Sequence, residues 1–141
     1  MMSTVAIVDY GMGNLRSVQN AVTHVGGKSI LVVDPKDLVV HDKIILPGVG
    51  AFGQAIDCLH QTGLAAALNE CREAGAHILG ICLGMQLMCS VSEEDGIHEG
   101  LNWFNAKVTR FLPDTGLSVP HMGWNGVDFV LSRCAGYPDG Q

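Results

Sequence analysis

Gly80-Ile81-Cys82-Leu83-Gly84-Met85-Gln86 is the stretch on which the reading of this chain turns. Before it, His77-Ile78-Leu79 is a short apolar run suited to a buried strand. After it, Met85 to Val91 is apolar enough for a helix. The Gly-x-Cys-x-Gly turn between them has the strand–turn–helix form of a nucleophile elbow, with Cys in place of Ser. Its two glycines let backbone pass close on both sides of a strained, exposed nucleophile. The sulfur then lies at a helix N-terminus, a setting in which cysteine thiols become reactive. The Leu83 N–H, directly after the nucleophile, is placed to donate to an oxyanion. Gln86, four residues on, projects from the same helix face as Cys82. The plainer alternative is a structural cysteine on a Gly-rich turn, because free Cys is among the most buried residue types.

Upstream, strands and helices alternate. Thr4 to Asp9 reads as a buried strand, with Val5-Ala6-Ile7-Val8 a continuous apolar run. Tyr10 to Asn14 is a loop. A helix follows with Leu15, Val18, Val22 and Val25 at steps of three and four, Asn14 as its cap and Gly26-Gly27 as its stop. Ser29 to Val33 is the next strand, and Asp34-Pro35 turns the chain. Lys43 to Leu46 is a third strand, ending at Pro47-Gly48-Val49-Gly50. Phe52 to Leu59 and Leu64 to Ala74 are helical. This order predicts an α/β fold, a doubly wound, mostly parallel, flavodoxin-like sheet with helices on both faces.

In such sheets, sites form at the carboxyl ends of strands. Tyr10 to Asn14, Pro47 to Gly50 and Cys82 all follow strands and so line one rim. Pro47 has no N–H, so donors toward the sulfur come from Gly48, Val49 or Gly50. A tetrahedral oxyanion suits that loop together with Leu83 N–H. A phosphate cradle is the competing reading of the loop, but it lacks the Lys-Ser/Thr ending of a P-loop.

Composition narrows the class. Eight Lys and Arg against 14 Asp and Glu give a net charge of −6, which argues against a nucleic-acid binder. The five cysteines form no metal-ligand or disulfide-rich pattern, which points to a reducing cytoplasm. Met1-Met2-Ser3 carries no basic leader. Ala76 to Val91 is apolar but is interrupted by His77, Gln86 and Ser90 and is shorter than a membrane span. Past the elbow, Ser92-Glu93-Glu94-Asp95-Gly96 reads as a solvated loop and Ala106 to Phe111 as a strand. In Pro120-His121-Met122-Gly123-Trp124-Asn125, a Trp, a His and an Asn around a glycine suit a contact surface; the alternative is a turn whose Trp124 plugs the core.

Four motifs in order carry a resemblance: Asp9-Tyr10-Gly11-Met12-Gly13-Asn14-Leu15-Arg16-Ser17-Val18, Leu46-Pro47-Gly48-Val49-Gly50-Ala51-Phe52, the elbow, and Pro120 to Asn125. Together they resemble the glutaminase subunits of imidazole glycerol phosphate synthases, which are class I (triad) glutamine amidotransferases. The resemblance implies hydrolysis of glutamine to glutamate and ammonia, with Cys82 the nucleophile of a glutamyl thioester. It implies Val49 and Leu83 as the oxyanion hole, and Gly50 and Gln86 as glutamine-binding residues. It implies docking as a heterodimer on a (β/α)8-barrel cyclase, which uses the ammonia to make imidazole glycerol phosphate in histidine biosynthesis. Asn14, Arg16, His121, Trp124 and Asn125 then lie near the partner, with Tyr10–Asn14 and His121–Asn125 forming one face. No metal and no organic cofactor is implied, and neither a membrane nor a nucleic acid is a partner.

The resemblance covers residues 1–129, as an incomplete amidotransferase type-1 domain, and leaves 130–141 as an unmatched tail. The class uses a His-x-Glu pair as base and orienting acid. Only His98 and His121 follow Cys82, and neither has Glu two residues on. The chain therefore reads as truncated at its C-terminus. The alternatives to a working glutaminase are an inactive module that binds the cyclase, another class I amidotransferase, and an unrelated cysteine hydrolase or small-molecule-binding α/β domain. A substitute base at His121 is a further possibility.

Overall fold

Val5–Val8, β1, is apolar at all four positions because it is the central strand of a parallel sheet covered on both faces. The computed structural model describes residues 4–112, 116 and 123–126. After β1 come α1 (Leu15–His24), β2 (Ser29–Val32), α2 (Pro35–Leu38), β3 (Lys43–Leu46), α3 (Phe52–Thr62), α4 (Leu64–Glu73), β4 (His77–Gly80), α5 (Leu83–Leu87), β5 (Cys89–Ser92), β6 (His98–Glu99) and β7 (Phe104–Val108). The chain divides into two compact units, Met1–Arg110 and Phe111–Gln141.

The first sheet has the order β2-β1-β3-β4, and all its pairings are parallel. Alternation along the strands splits the core. Ala6, Val8, Ile44 and Leu46 face α3, α4 and α5 with Phe52, Leu59, Leu64, Leu68 and Leu87. Ile7 and Ile45 face the other way, against Val22, Leu15 and Val18 of α1. Helices therefore stand on both faces of the sheet, as the sequence predicts, with α1 covering β1 and β3 on its side. The winding reverses between β1 and β3, because β2 is added on one side of β1 and β3 and β4 on the other. That switch point is where an open α/β sheet presents a ligand crevice.

Several expectations need correction. The helix foreseen over Met85–Val91 ends at Leu87, and Cys89–Ser92 is β5. The carbonyls of Leu87, Met88 and Cys89 accept from the backbone N–H groups of Leu101, Trp103 and Asn102. Tertiary pairing thus overrides an apolar run that fits either state. Ser92 is not in a solvated loop but is buried at the end of β5, where it pairs with Val108. β7 begins two residues before the expected Ala106 and ends at Val108 rather than Phe111. β5, β6 and β7 form a second sheet of order β6-β5-β7, with β5 parallel to β7 and antiparallel to β6. Pro35 does not simply turn the chain: Asp34 accepts from Lys36 N at 2.9 Å and caps the short α2. Val25 is the C-cap of α1 and is exposed instead of completing the apolar stripe. Trp103 fastens the second sheet to α4, its indole N–H donating to Asn69 Oδ1 at 2.6 Å under the Arg72 guanidinium, 5.7 Å from the ring centre.

Candidate active site

Cys82 leaves β4 in a conformation that L-residues rarely adopt, φ 53° and ψ −116°. Of the described non-glycine residues, only Cys82 and Asn102 have positive φ. Such a backbone costs on the order of 1–3 kcal/mol and persists only where its surroundings fix it. Here they do. Ile81 N–H donates to Leu46 O at 3.0 Å, and Gln86 N–H to Cys82 O at 3.1 Å. A Cβ on Gly80 would lie 2.6 Å from Met85 Cα, and one on Gly84 would overlap the Leu46 carbonyl oxygen. The two glycines of the motif are thus required on both sides of the cysteine, as read from the sequence.

The thiol environments differ. Cys82 is exposed. Cys71 is buried, its Sγ donates to Leu38 O at 3.7 Å, and burial, followed by the Glu70 charge, pushes its pKa up. Cys71 is the structural type of cysteine; Cys82 is presented at the rim.

The loop after β3 lies against the elbow. A Cβ on Gly48 would lie 2.5 Å from Tyr10 Oη, 2.9 Å from Leu83 Cβ and 3.0 Å from Gly84 N. Gly48 is buried, and Val49 and Gly50 beyond it are exposed. Leu83 is buried under the first turn of α5. Gly13 approaches from β1, with Gly48 N and Pro47 Cβ each 3.6 Å from where its Cβ would stand. The Met12 methyl would lie 2.6 Å from a Cβ on Gly50. The loops after β1, β3 and β4 therefore meet on one rim, at the switch point.

The remaining candidates stand as follows. Gln86 is half-buried, and its shared face with Cys82 does not follow from helical spacing, because Cys82 lies outside the helical dihedrals. Asn14 is exposed and caps α1, its Oδ1 accepting from Ser17 N at 3.2 Å, and Arg16 is exposed in the first turn. Trp124 and Asn125 are exposed in the second unit. His121 lies outside the described residues. Tyr10 is 5% exposed and cannot belong to a partner-facing surface, contrary to the expectation for Tyr10–Asn14.

Sequence reasoning placed Tyr10 and Met12 on the rim but missed the contacts they make there, the Tyr10 hydroxyl against Gly48 and the Met12 methyl over Gly50; it also missed that the His98 ring would lie 2.5 Å from a Cβ on Gly53. A polar-tipped aromatic at a strand's carboxyl end was the available signal for Tyr10. Among the described residues, no cluster of three or more His, Cys, Asp or Glu could hold a metal ion. None of their helices is long and apolar enough to cross a membrane.

The family model of class-I glutamine amidotransferases matches residues 6–127. The chain belongs to that family. Among relatives, it is 50% identical over 125 residues to imidazole glycerol phosphate synthase subunit HisH of Chlorobium chlorochromatii, covering 89% of this chain and 62% of that protein. It is 52% identical over 126 residues to the HisH subunit of Sulfurimonas denitrificans, covering 86% and 60%. It is also 46% identical over 125 residues to the chloroplastic imidazole glycerol phosphate synthase hisHF of Arabidopsis thaliana, covering 89% of this chain and 21% of that protein. The chain thus spans about three fifths of the length of the HisH subunits it resembles. A crystal structure of a glutamine amidotransferase shares the class-I fold at TM-score 0.65 and 20% identity, over 75% of this chain and 56% of that one.

Proposed function

We propose that this chain is the glutaminase part of an imidazole glycerol phosphate synthase. It hydrolyses glutamine to glutamate and ammonia for a cyclase partner in histidine biosynthesis. The observation that carries the reading is the exposed, positive-φ Cys82 at an elbow whose next two residues, Leu83 and Gly84, pack against Gly48 of the Pro47–Gly50 loop.

In this reading the Cys82 sulfur attacks the side-chain carbonyl carbon of glutamine. The carbonyl oxygen becomes an oxyanion, and Val49 and Leu83 N–H groups are the proposed donors to it. The C–N bond then breaks, ammonia leaves with a proton, and water hydrolyses the glutamyl thioester. Gly50 and Gln86 are the proposed glutamine-binding residues. The domain is residues 1–129, with 130–141 outside it. The proposed partner is a (β/α)8-barrel cyclase bound as a heterodimer, with Asn14, Arg16, His121, Trp124 and Asn125 as proposed partner-interface residues. The proposed compartment is the cytoplasm, in keeping with four free cysteines among the described residues.

The alternative is a module that binds the cyclase without catalysis. No His-x-Glu pair follows Cys82 within the 141 residues, so the proton that leaves with ammonia has no assigned carrier there. An inactive module that binds the cyclase would need none. Glutamate release by the full-length gene product with a cyclase subunit separates the two, together with mass-spectrometric mapping of a glutamine-analogue label. Release that is lost in Cys82→Ala, with label on Cys82, supports the glutaminase. Label on Cys58, Cys71, Cys89 or Cys134 refutes the assignment of Cys82. Tight association without release supports the inactive module.

A further inference from the structure

Pro47 sets the shape of the loop opposite the elbow, yet it has no N–H with which to fix itself. Its carbonyl is the only backbone polar group it has, and the residue is buried. Tyr10 supplies the partner: its hydroxyl donates to Pro47 O at 2.8 Å. The ring belongs to the core under α3–α5, so the donor stands on a rigid support. The turn that delivers it is fixed as well. Asp9 N–H donates to Val32 O at 2.8 Å, and the Asp9 carboxylate accepts from Gly11 N–H at 3.1 Å. Tyr10 is held between these two bonds.

We infer that Tyr10 is a positioning residue for the oxyanion donors, its hydroxyl holding the Pro47 carbonyl so that the Pro47–Gly50 loop stays seated on the first turn of α5. This rests on the glutaminase reading above. The seat has little slack, because Gly48 is already wedged between Tyr10 Oη, Leu83 Cβ and Gly84 N. A buried carbonyl that loses its donor turns to find another. Rotation of the Pro47–Gly48 peptide would carry the following N–H groups, Val49 among them, away from the sulfur. Burial, followed by the Cys58 charge, pushes the Tyr10 pKa up to about 12, so the hydroxyl remains a donor at any working pH.

The test compares the full-length gene product with Tyr10→Phe, which keeps the ring and removes one oxygen. A displaced oxyanion donor weakens the transition state more than the bound substrate. We therefore expect kcat for glutamine hydrolysis to fall about tenfold or more, short of the roughly 10²–10³ caused by deleting an oxyanion donor outright. KM should stay within about twofold. Alkylation of Cys82 by iodoacetamide, a displacement without an oxyanion, should keep its wild-type rate. A second pair guards against misfolding of the first variant. Asp9→Ala, which frees the Tyr10 turn, should lower kcat in the same way, and Asp9→Asn, which keeps the acceptor, should restore it. Unchanged kcat in Tyr10→Phe or in Asp9→Ala overturns the inference. So does a fall matched by slower alkylation, which would mean general damage to the elbow. Wild-type protein that neither releases glutamate nor takes a glutamine-analogue label at Cys82 overturns the glutaminase reading itself.

Discussion

Gly80→Ala tests how tightly the elbow is built. The added methyl would lie 2.6 Å from Met85 Cα, 2.7 Å from Met85 N and 2.8 Å from Met88 Cε. Carbon atoms pack at about 3.5–4.0 Å, so the first contact falls short by about 1 Å. Met88 Cε is the end of a flexible side chain and can turn aside. Met85 Cα and N are helix backbone and cannot, so α5 must move away from β4. Overpacking of this kind costs about 1–3 kcal/mol. The loss of glycine's freedom in the unfolded chain returns about 0.4–1 kcal/mol, since the φ at Gly80 suits alanine. The net expectation is a loss of about 1–2 kcal/mol of stability. The chemical effect is larger. A displacement near 1 Å at a reacting group costs about 10²-fold in rate. Urea unfolding gives the first quantity, and the labelling rate of Cys82 by an electrophilic glutamine analogue gives the second. Gly84→Ala, whose methyl would overlap the Leu46 carbonyl, should be worse on both counts. Wild-type stability and labelling in Gly80→Ala would refute the claim that the elbow has no slack.

Other outcomes follow from the same contacts. Cys82→Gly should take no label yet exceed Cys82→Ala in stability by about 1 kcal/mol, because glycine accepts φ 53° without strain; equal unfolding midpoints would contradict this. Trp103→Ala removes a 2.6 Å hydrogen bond to Asn69 and the Arg72 stacking; it should cost about 2–4 kcal/mol by urea unfolding, and a loss under about 1 kcal/mol would mean that the second sheet is held elsewhere. Tyr10 has a folded pKa of about 12 against 10.0 in the unfolded chain, so the folded state binds more protons between these values. Its contribution is fully present below pH 10 and is lost above it by up to about 1.4 kcal/mol per pH unit, a slope that Tyr10→Phe should remove.

What the sequence discloses depends on how local the cause is. β1 and β3 are legible because a strand buried on both faces must be apolar throughout. The cap at Asn14 is legible because the side-chain acceptor and the free N–H lie three residues apart. The elbow is legible because its two glycines and cysteine record one tight turn. Cys89–Ser92 is not: the carbonyls that stop the helix are claimed by residues 101–103, more than ten positions away. The second sheet is hidden for the same reason, as β5 and β7 are joined only through space. Tyr10 lies between these extremes. Its position at a strand end can be read, but its partner Pro47 lies 37 residues on and is fixed by the pairing of β1 with β3.

The strain at Cys82 is sustained by the sheet more than by the elbow. β4 is the edge strand of its sheet among the described residues and is held through β3 by the register Lys43–His77 to Leu46–Gly80. Leu46 closes that register, and its carbonyl also accepts from Ile81 N–H and stands against Gly84. One carbonyl therefore joins the sheet to the elbow. The next residue, Pro47, carries the carbonyl that Tyr10 holds. Two successive carbonyls at the end of β3 thus seat the two sides of the candidate site, the cysteine turn on one and the Gly48–Gly50 turn on the other. On the α1 side, β4 is thinly covered: Leu79 is 58% exposed and, with Ile81, lines an apolar groove of 680 Å³ beside α1. With one strand neighbour and one open face, β4 relies on β3 to keep the elbow in register. Changes in the β3 core, such as Ile44→Ala or Leu46→Ala, should therefore slow Cys82 labelling more than changes of equal volume in β2.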